Sequence, residues 1–275
     1  MIKRILVALS GTPYTPAAVR YAVELAKLHD AEVTGVTLVD PGRIADVGPV
    51  PLGGGSAAHE LAEHRLHVTE EHVEQQITGF ESACRDAGTD HRVQRETGDT
   101  LEELVSCWRY HDLTILGVRG LFDYGVLHDP HSRIAELIAS GVRPILAVAE
   151  SYRPIRRVQI AYNGSMESAK AMKRFIQMRV WPEVEIGIFC IGLDDAAAAT
   201  LLDDAAAFCR AHGYAAETAS IPGDPREELL PYARTRDADL LVLGSTGRGK
   251  IAKLLLGDTA QEAMRHADIP LFLAR

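Results

Sequence analysis

Cation, cysteine and long apolar runs are what this sequence has little of, and each shortage excludes a class of protein. With 29 Lys and Arg against 38 Asp and Glu, the chain carries a formal charge of −9. A general polyanion binder needs clustered cations to displace phosphate counterions, so nucleic acid is not the expected partner. The four cysteines, Cys84, Cys107, Cys190 and Cys209, form no C-x-x-C pair and no zinc-ligand spacing. A disulfide scaffold would be richer in cysteine, so a reducing compartment is expected. No apolar run approaches transmembrane length, and no membrane association is expected. Met1-Ile-Lys-Arg4 leads into a short strand-like run without the apolar stretch and cleavage site of a secretory signal, which points to the cytoplasm.

What is present is a repeat. Ile5-Leu-Val-Ala-Leu-Ser-Gly-Thr12 matches Val158-Gln-Ile-Ala-Tyr-Asn-Gly-Ser165, each a β-type run followed by an Ala-containing helical stretch. Gly98-Asp-Thr-Leu-Glu-Glu-Leu-Val105 matches Gly223-Asp-Pro-Arg-Glu-Glu-Leu-Leu230, and Asp112-Leu-Thr-Ile-Leu-Gly117 matches Asp239-Leu-Leu-Val-Leu-Gly244. The closing segments Arg143-Pro-Ile-Leu-Ala-Val148 and Ile269-Pro-Leu-Phe-Leu-Ala274 correspond as well. Two copies of one unit therefore fill the chain, expected as domains over residues 1–150 and 154–275 with a polar linker at Glu150-Ser-Tyr-Arg-Pro154. The offset between copies falls from 153 (Ile5 to Val158) to 125 (Gly98 to Gly223), so the first copy carries an insertion. Its expected place is 41–58, where Pro49-Val-Pro-Leu-Gly-Gly-Gly-Ser56 reads as a mobile loop.

Each copy alternates short apolar strands with helices, as in Pro16 to Asp30 followed by Glu32 to Val39. That rhythm predicts an α/β fold, two doubly wound domains each with a five-stranded parallel sheet. A run such as Leu240-Leu-Val-Leu243 suits a central parallel strand, which has no solvent face. Ligands of such sheets sit at the carboxyl ends of the strands.

After Leu243 comes Gly244-Ser-Thr-Gly-Arg-Gly-Lys250, continuing to Gly257-Asp-Thr259 and a helix from about Ala260 to His266. Glycines let backbone N–H groups crowd around a phosphate, and a helix N-terminus adds positive field. The segment is not a P-loop, because Ile251 stands where the magnesium-binding hydroxyl belongs, and it is not a GxGxxG fingerprint. Gly244, Gly247 and Gly257 have the spacing Gly, two residues, Gly, nine residues, Gly. In this, in the repeated strand openings and in the Gly-Asp turns, the chain resembles the universal stress proteins over nearly its whole length, twice over.

The resemblance implies the adenine nucleotide alpha hydrolase-like fold and ATP, with or without Mg²⁺, as ligand of the second copy; it also implies that the last strands, Ile145 to Ala149 and Leu271 to Ala274, pair the two copies as an internal pseudo-dimer, with a homodimer of tandems as a further assembly. It implicates Tyr162 and Asn163 at the first strand end, Cys190 and Ile191 at the second, and Leu243, Gly244, Ser245, Thr246, Gly247, Arg248, Gly257, Asp258 and Thr259 around the ribose and phosphates. Two residues depart from the family pattern. Asn163 replaces an Asp beside the adenine and ribose, and Asp258 stands where Ser or Thr follows the last glycine. Asp258 has two readings: an N-cap with Gln261 at capping-box spacing, or a carboxylate that Mg²⁺ would bridge to the phosphates.

The first copy has Ser10 at its first strand end and Gly117-Val-Arg-Gly120 in its loop, but Pro130 in place of the third glycine, so nucleotide is not expected there. Phe122, Tyr124, His128 and His131 form an aromatic loop expected to pack on its neighbour. His59, His64, His67 and His72 lie on a helix rich in Glu, read as a solvated face before a metal site. No triad, paired catalytic carboxylates or metal motif can be assigned, so no enzyme activity is expected beyond slow ATP hydrolysis. The leading expectation is a nucleotide-responsive stress or regulatory protein acting through an unidentified protein partner. A nucleotide-independent interaction scaffold and an adenylyl-transferring enzyme are the rival classes.

Overall fold

The computed structural model describes residues 1–122, 124, 137, 142, 144–244 and 257–274. The first half contains β1 (Arg4–Ala8), α1 (Thr15–His29), β2 (Glu32–Val39), α2 (Pro41–Ala45), α3 (Gly55–Ala87), β3 (His91–Thr97), α4 (Thr100–Trp108), β4 (Leu113–Gly117) and β5 (Ile145–Val148). The second contains β6 (Arg157–Ala161), α5 (Met166–Met178), β7 (Glu185–Ile191), α6 (Asp195–Ala211), β8 (Ala216–Ile221), α7 (Pro225–Thr235), β9 (Leu240–Gly244), α8 (Asp258–His266) and β10 (Leu271–Ala274). All ten strands form one sheet, ordered β3-β2-β1-β4-β5-β10-β9-β6-β7-β8. Within each half the five strands run parallel, and the halves meet through an antiparallel β5–β10 pair, Leu271 opposite Ala147, Phe272 opposite Leu146 and Leu273 opposite Ile145.

Burial follows the strand order. Ile5 to Ala8 and Leu240 to Val242 are fully buried, as expected of strands covered on both faces. The outermost strands β3 and β8 instead alternate half-buried and exposed residues, and Arg92 and Arg95 of β3 pair with Glu32 and Glu74. Charges of this kind deter pairing of an open edge with another chain. Helix starts are set by short polar side chains. Asp99 accepts from Leu101 N–H at 2.9 Å, Ser165 from Ser168 N–H at 3.2 Å, and Asp194 from Ala197 N–H at 2.9 Å.

The insertion is not loop throughout 41–58. Asp40 caps the short α2 through Arg43 N–H at 3.0 Å, and α3 begins at Gly55. Much of the extra length is helix, since α3 has 33 residues where α6 has 17. A second tie joins the halves behind the sheet. Glu24 of α1 accepts hydrogen bonds from Tyr152 Oη and Trp181 Nε1, each at 2.8 Å, and the Tyr21 hydroxyl donates to the Arg153 carbonyl at 2.8 Å. Burial pushes the Tyr152 phenol up to about 12, so it stays neutral and donates. The four cysteines are free and buried, and burial raises the thiols of Cys107 and Cys209 to about 11. Among the described residues no helix is long and apolar enough to cross a membrane.

Phe272 sits in the joining strand with its ring 5.3 Å from that of Phe175, edge to face. Truncating a fully buried aromatic removes both its transfer energy and its packing, so Phe272→Ala is expected to cost roughly 3–5 kcal/mol. A urea unfolding midpoint checks this, and a loss under about 1 kcal/mol would show that the joining strand is not a packed element.

Candidate functional site

The strand order switches between β6 and β9 in the second half and between β1 and β4 in the first, so the carboxyl ends of these strands are where a ligand is sought. Beyond β6, Tyr162 N–H still bonds the Phe189 carbonyl at 2.8 Å. The chain then turns at Asn163, whose Oδ1 accepts from Ser165 N–H and from Ser168 Oγ, both at 3.0 Å. Asn163 is exposed, and with Oδ1 engaged inside the turn it offers its Nδ2 amide outward. An Asp here would offer a second acceptor oxygen instead. Tyr162 is half-buried, and burial together with the charge of Asp204 raises its phenol.

Next to this turn, β9 ends on Gly244 with no room for a side chain. A Cβ there would lie 2.8 Å from both the Glu167 carbonyl carbon and the Ser168 nitrogen at the head of α5. On the other side, Cys190 is buried and its Sγ reaches Ser220 Oγ of β8 at 3.7 Å, so its side chain belongs to the sheet and only its backbone borders the strand ends. Ile191 and Leu243 are buried likewise. Tyr162, Asn163, Cys190, Ile191, Leu243 and Gly244 are thus brought together at one edge of the sheet.

Gly257, not Asp258, is the N-cap of α8, and its carbonyl accepts from Gln261 N–H at 2.9 Å. The capping-box reading of Asp258 is therefore corrected: the residue lies one position inside the helix, exposed, and its side chain makes no cap bond. A carboxylate in the first turn is favoured by the helix dipole without capping it. Thr259 follows, half-buried. Arg226, at the head of α7, is a residue that sequence reasoning misses, and Asp258 is among the charges acting on it. Its guanidinium grips Asp224 through Nε–Oδ1 at 3.2 Å and Nη2–Oδ2 at 2.9 Å, and this holds the Asp224 carboxyl down at about 2. The signal was present in the repeat, because Arg226 stands where the first copy has Leu101. Among the described residues no three potential metal ligands cluster around Asp258.

Ser245, Thr246, Gly247 and Arg248 lie outside the described residues, as do His128, Pro130 and His131 of the first copy. His59 and His67 pair with Glu63 and Glu71 at 3.3 and 3.4 Å on the exposed face of α3, and His72 donates from Nδ1 to the Tyr124 carbonyl.

In the first half the corresponding corner is filled from within. The Tyr124 ring is fully buried against Gly11, where a Cβ would lie 2.7 Å from its Cδ1. Its hydroxyl accepts from Leu38 N–H at 3.1 Å. By strand register Leu38 is the counterpart of Ile191. Ser10 is spent locally, within 3.2 Å of Thr12 Oγ1 and 3.4 Å of Thr15 Oγ1.

Two parallel five-stranded units joined edge to edge, each with a switch point at the end of its first strand, define a tandem α/β protein of the adenine nucleotide alpha hydrolase-like fold. The universal stress protein family matches residues 1–136 and 191–275, and the chain belongs to that family. Universal stress protein Slr1230 of Synechocystis is 24% identical over 290 residues, spanning 100% of both chains. A universal stress protein of Archaeoglobus fulgidus superposes with a TM-score of 0.68 at 17% identity, covering 99% of this chain and 96% of its own. A protein of Pseudomonas aeruginosa PAO1 superposes with a TM-score of 0.60 at 14% identity, covering 99% and 92%.

Replacing Tyr124 by Phe would leave the buried Leu38 N–H without its acceptor, an expected loss of about 1–3 kcal/mol. Thermal unfolding of Tyr124→Phe checks this, and an unchanged midpoint would mean that the hydroxyl does not serve that amide.

Proposed function

We propose that the chain is a stress-response protein regulated by occupancy of an adenine nucleotide, ATP, in its second half, residues 154–275, while residues 1–150 form a companion domain whose equivalent site is closed by Tyr124. The observation that carries this reading is the convergence on the β6–β9 switch point of Asn163, Gly244 and the head of α5, with the head of α8 and Arg226 at the same edge. Helix N-termini offer positive field to phosphates, and a glycine permits close backbone approach. Asn163 and the backbone of Cys190 and Ile191 would face the base and ribose, and the glycine segment from Gly244 to Gly257, with Ser245, Thr246, Gly247 and Arg248, would hold the phosphates. Nucleotide binding would be read by a protein partner, without turnover as its purpose.

Two features favour the rival scaffold reading: Asn163 Oδ1 is used internally, and Asp258 brings a negative charge to the phosphate side. The thermal midpoint with and without millimolar ATP and Mg²⁺ separates the two, because a ligand at one hundred times its Kd adds about 2.7 kcal/mol. A rise is expected, abolished by Gly247→Val and enlarged by Asn163→Asp, which keeps the internal acceptor and adds one facing outward. No rise in either the wild type or Asn163→Asp would leave the scaffold.

A further inference from the structure

A second candidate site lies at the opposite end of the same strands. The amino ends of β6, β7 and β8 surround a cavity of about 530 Å³, floored by Gln159 and Gly187, walled by Ala216 and rimmed by Arg157 and Arg236. Comparison with the first half shows how it arises. Register pairs Leu6 with Thr34 and Thr34 with Arg92 in the first half, and Gln159 with Gly187 and Gly187 with Glu217 in the second. In the first half this space is closed. Thr34 Oγ1 receives Arg92 Nε at 3.0 Å and lies 3.0 Å from His111 Nε2, over the buried apolar Leu6. The second half replaces Thr34 by Gly187, His111 by Ala238 and Leu6 by Gln159. Two filling side chains are lost, and the apolar floor becomes an amide.

The Gln159 amide is what a ligand would meet. The residue is only 5% exposed, and among the described residues its side chain makes no hydrogen bond. Its Nε2 and Oε1 lie 2.3 and 2.4 Å from where a Cβ on Gly187 would stand, so the amide occupies the space the glycine leaves. The amide reaches solvent through the mouth of the cavity, so a bound molecule replaces that water without loss only if it supplies both an acceptor and a donor. The rim limits the charge of that molecule. Arg157 is already held by Asp237 at 3.1 Å and Glu185 at 3.5 Å, and Arg236 by Glu217. With three carboxylates to two guanidiniums, an anion or polyphosphate finds no free cation among these groups.

We propose that this cavity is a binding site for a small, uncharged, planar cyclic amide, whose adjacent N–H and C=O pair with the Gln159 amide over Gly187. It is separate from the nucleotide site and does not depend on it. The test is a titration of the full chain with uracil, followed in amide ¹H–¹⁵N correlation spectra. Saturable shifts at Gly187, Ala216 and Ala238 are expected in the millimolar range, unchanged by ATP. Gln159→Leu installs the residue the first half carries as Leu6, so it should fold, and it should weaken binding by at least about tenfold. Ala238→His restores the imidazole that reaches Thr34 in the first half, directing it toward Gly187 while keeping Gln159, and it should have the same effect. No saturable shift, or shifts that survive both substitutions, would overturn the proposal.

Discussion

The antiparallel β5–β10 pair is the constraint on which the rest of the molecule depends. Each half-sheet ends on a strand whose four residues are fully or almost fully buried, Ile145 to Val148 and Leu271 to Ala274. An open edge of such strands would expose unpaired backbone groups flanked by apolar side chains. Joining the two edges removes both at once and makes one sheet from two. It also fixes direction. Because the pair is antiparallel, the carboxyl ends of the first half's strands and those of the second half's lie on opposite edges of the sheet. The corner closed by Tyr124 and the candidate nucleotide site at Asn163 and Gly244 therefore do not share a cleft.

The same geometry sets what crosses between the halves. Arg119, just past β4, reaches the Ala267 carbonyl at 2.7 Å, just before β10, which is where an antiparallel neighbour must begin. Behind the sheet, Glu24 serves both Tyr152 and Trp181, so one carboxylate from α1 anchors the connecting segment and the second half together. The repeat has thus kept its frame while its two copies diverged inside it. In the first copy a tyrosine ring fills the strand-end corner, and Thr34, Arg92 and His111 fill the amino-end space. The second has Gly244 and Gly257 at one end and, at the other, a cavity over Gly187 where the first has Thr34.

Most of the frame was legible in the sequence because it is written in local pattern. A run such as Leu240-Leu-Val-Leu243 can be read as a central strand, since a strand covered on both faces has to be apolar along its length. The edge-to-edge joining was expected from the family resemblance and not from local pattern. The long α3 was not legible, because the Gly and Pro cluster before it hides a helix beginning at Gly55. In the site, Asp258 looked like a cap on spacing alone, whereas Gly257 holds that position. Tyr124 closes its corner through Leu38, 86 residues away in the chain, a contact no local pattern can carry. Arg226 was readable only by laying one copy on the other, and so was the cavity, which consists of side chains that are absent.

Hydrogen exchange of backbone amides tests the joining strand most directly, since exchange in a cooperative core requires global opening. Amides of Ile145–Val148 and Leu271–Ala274 should be protected to the same degree as those of the central strands β1 and β6. Exchange there as fast as in the outer strands β3 and β8 would contradict a single ten-stranded sheet and leave two halves held only behind it.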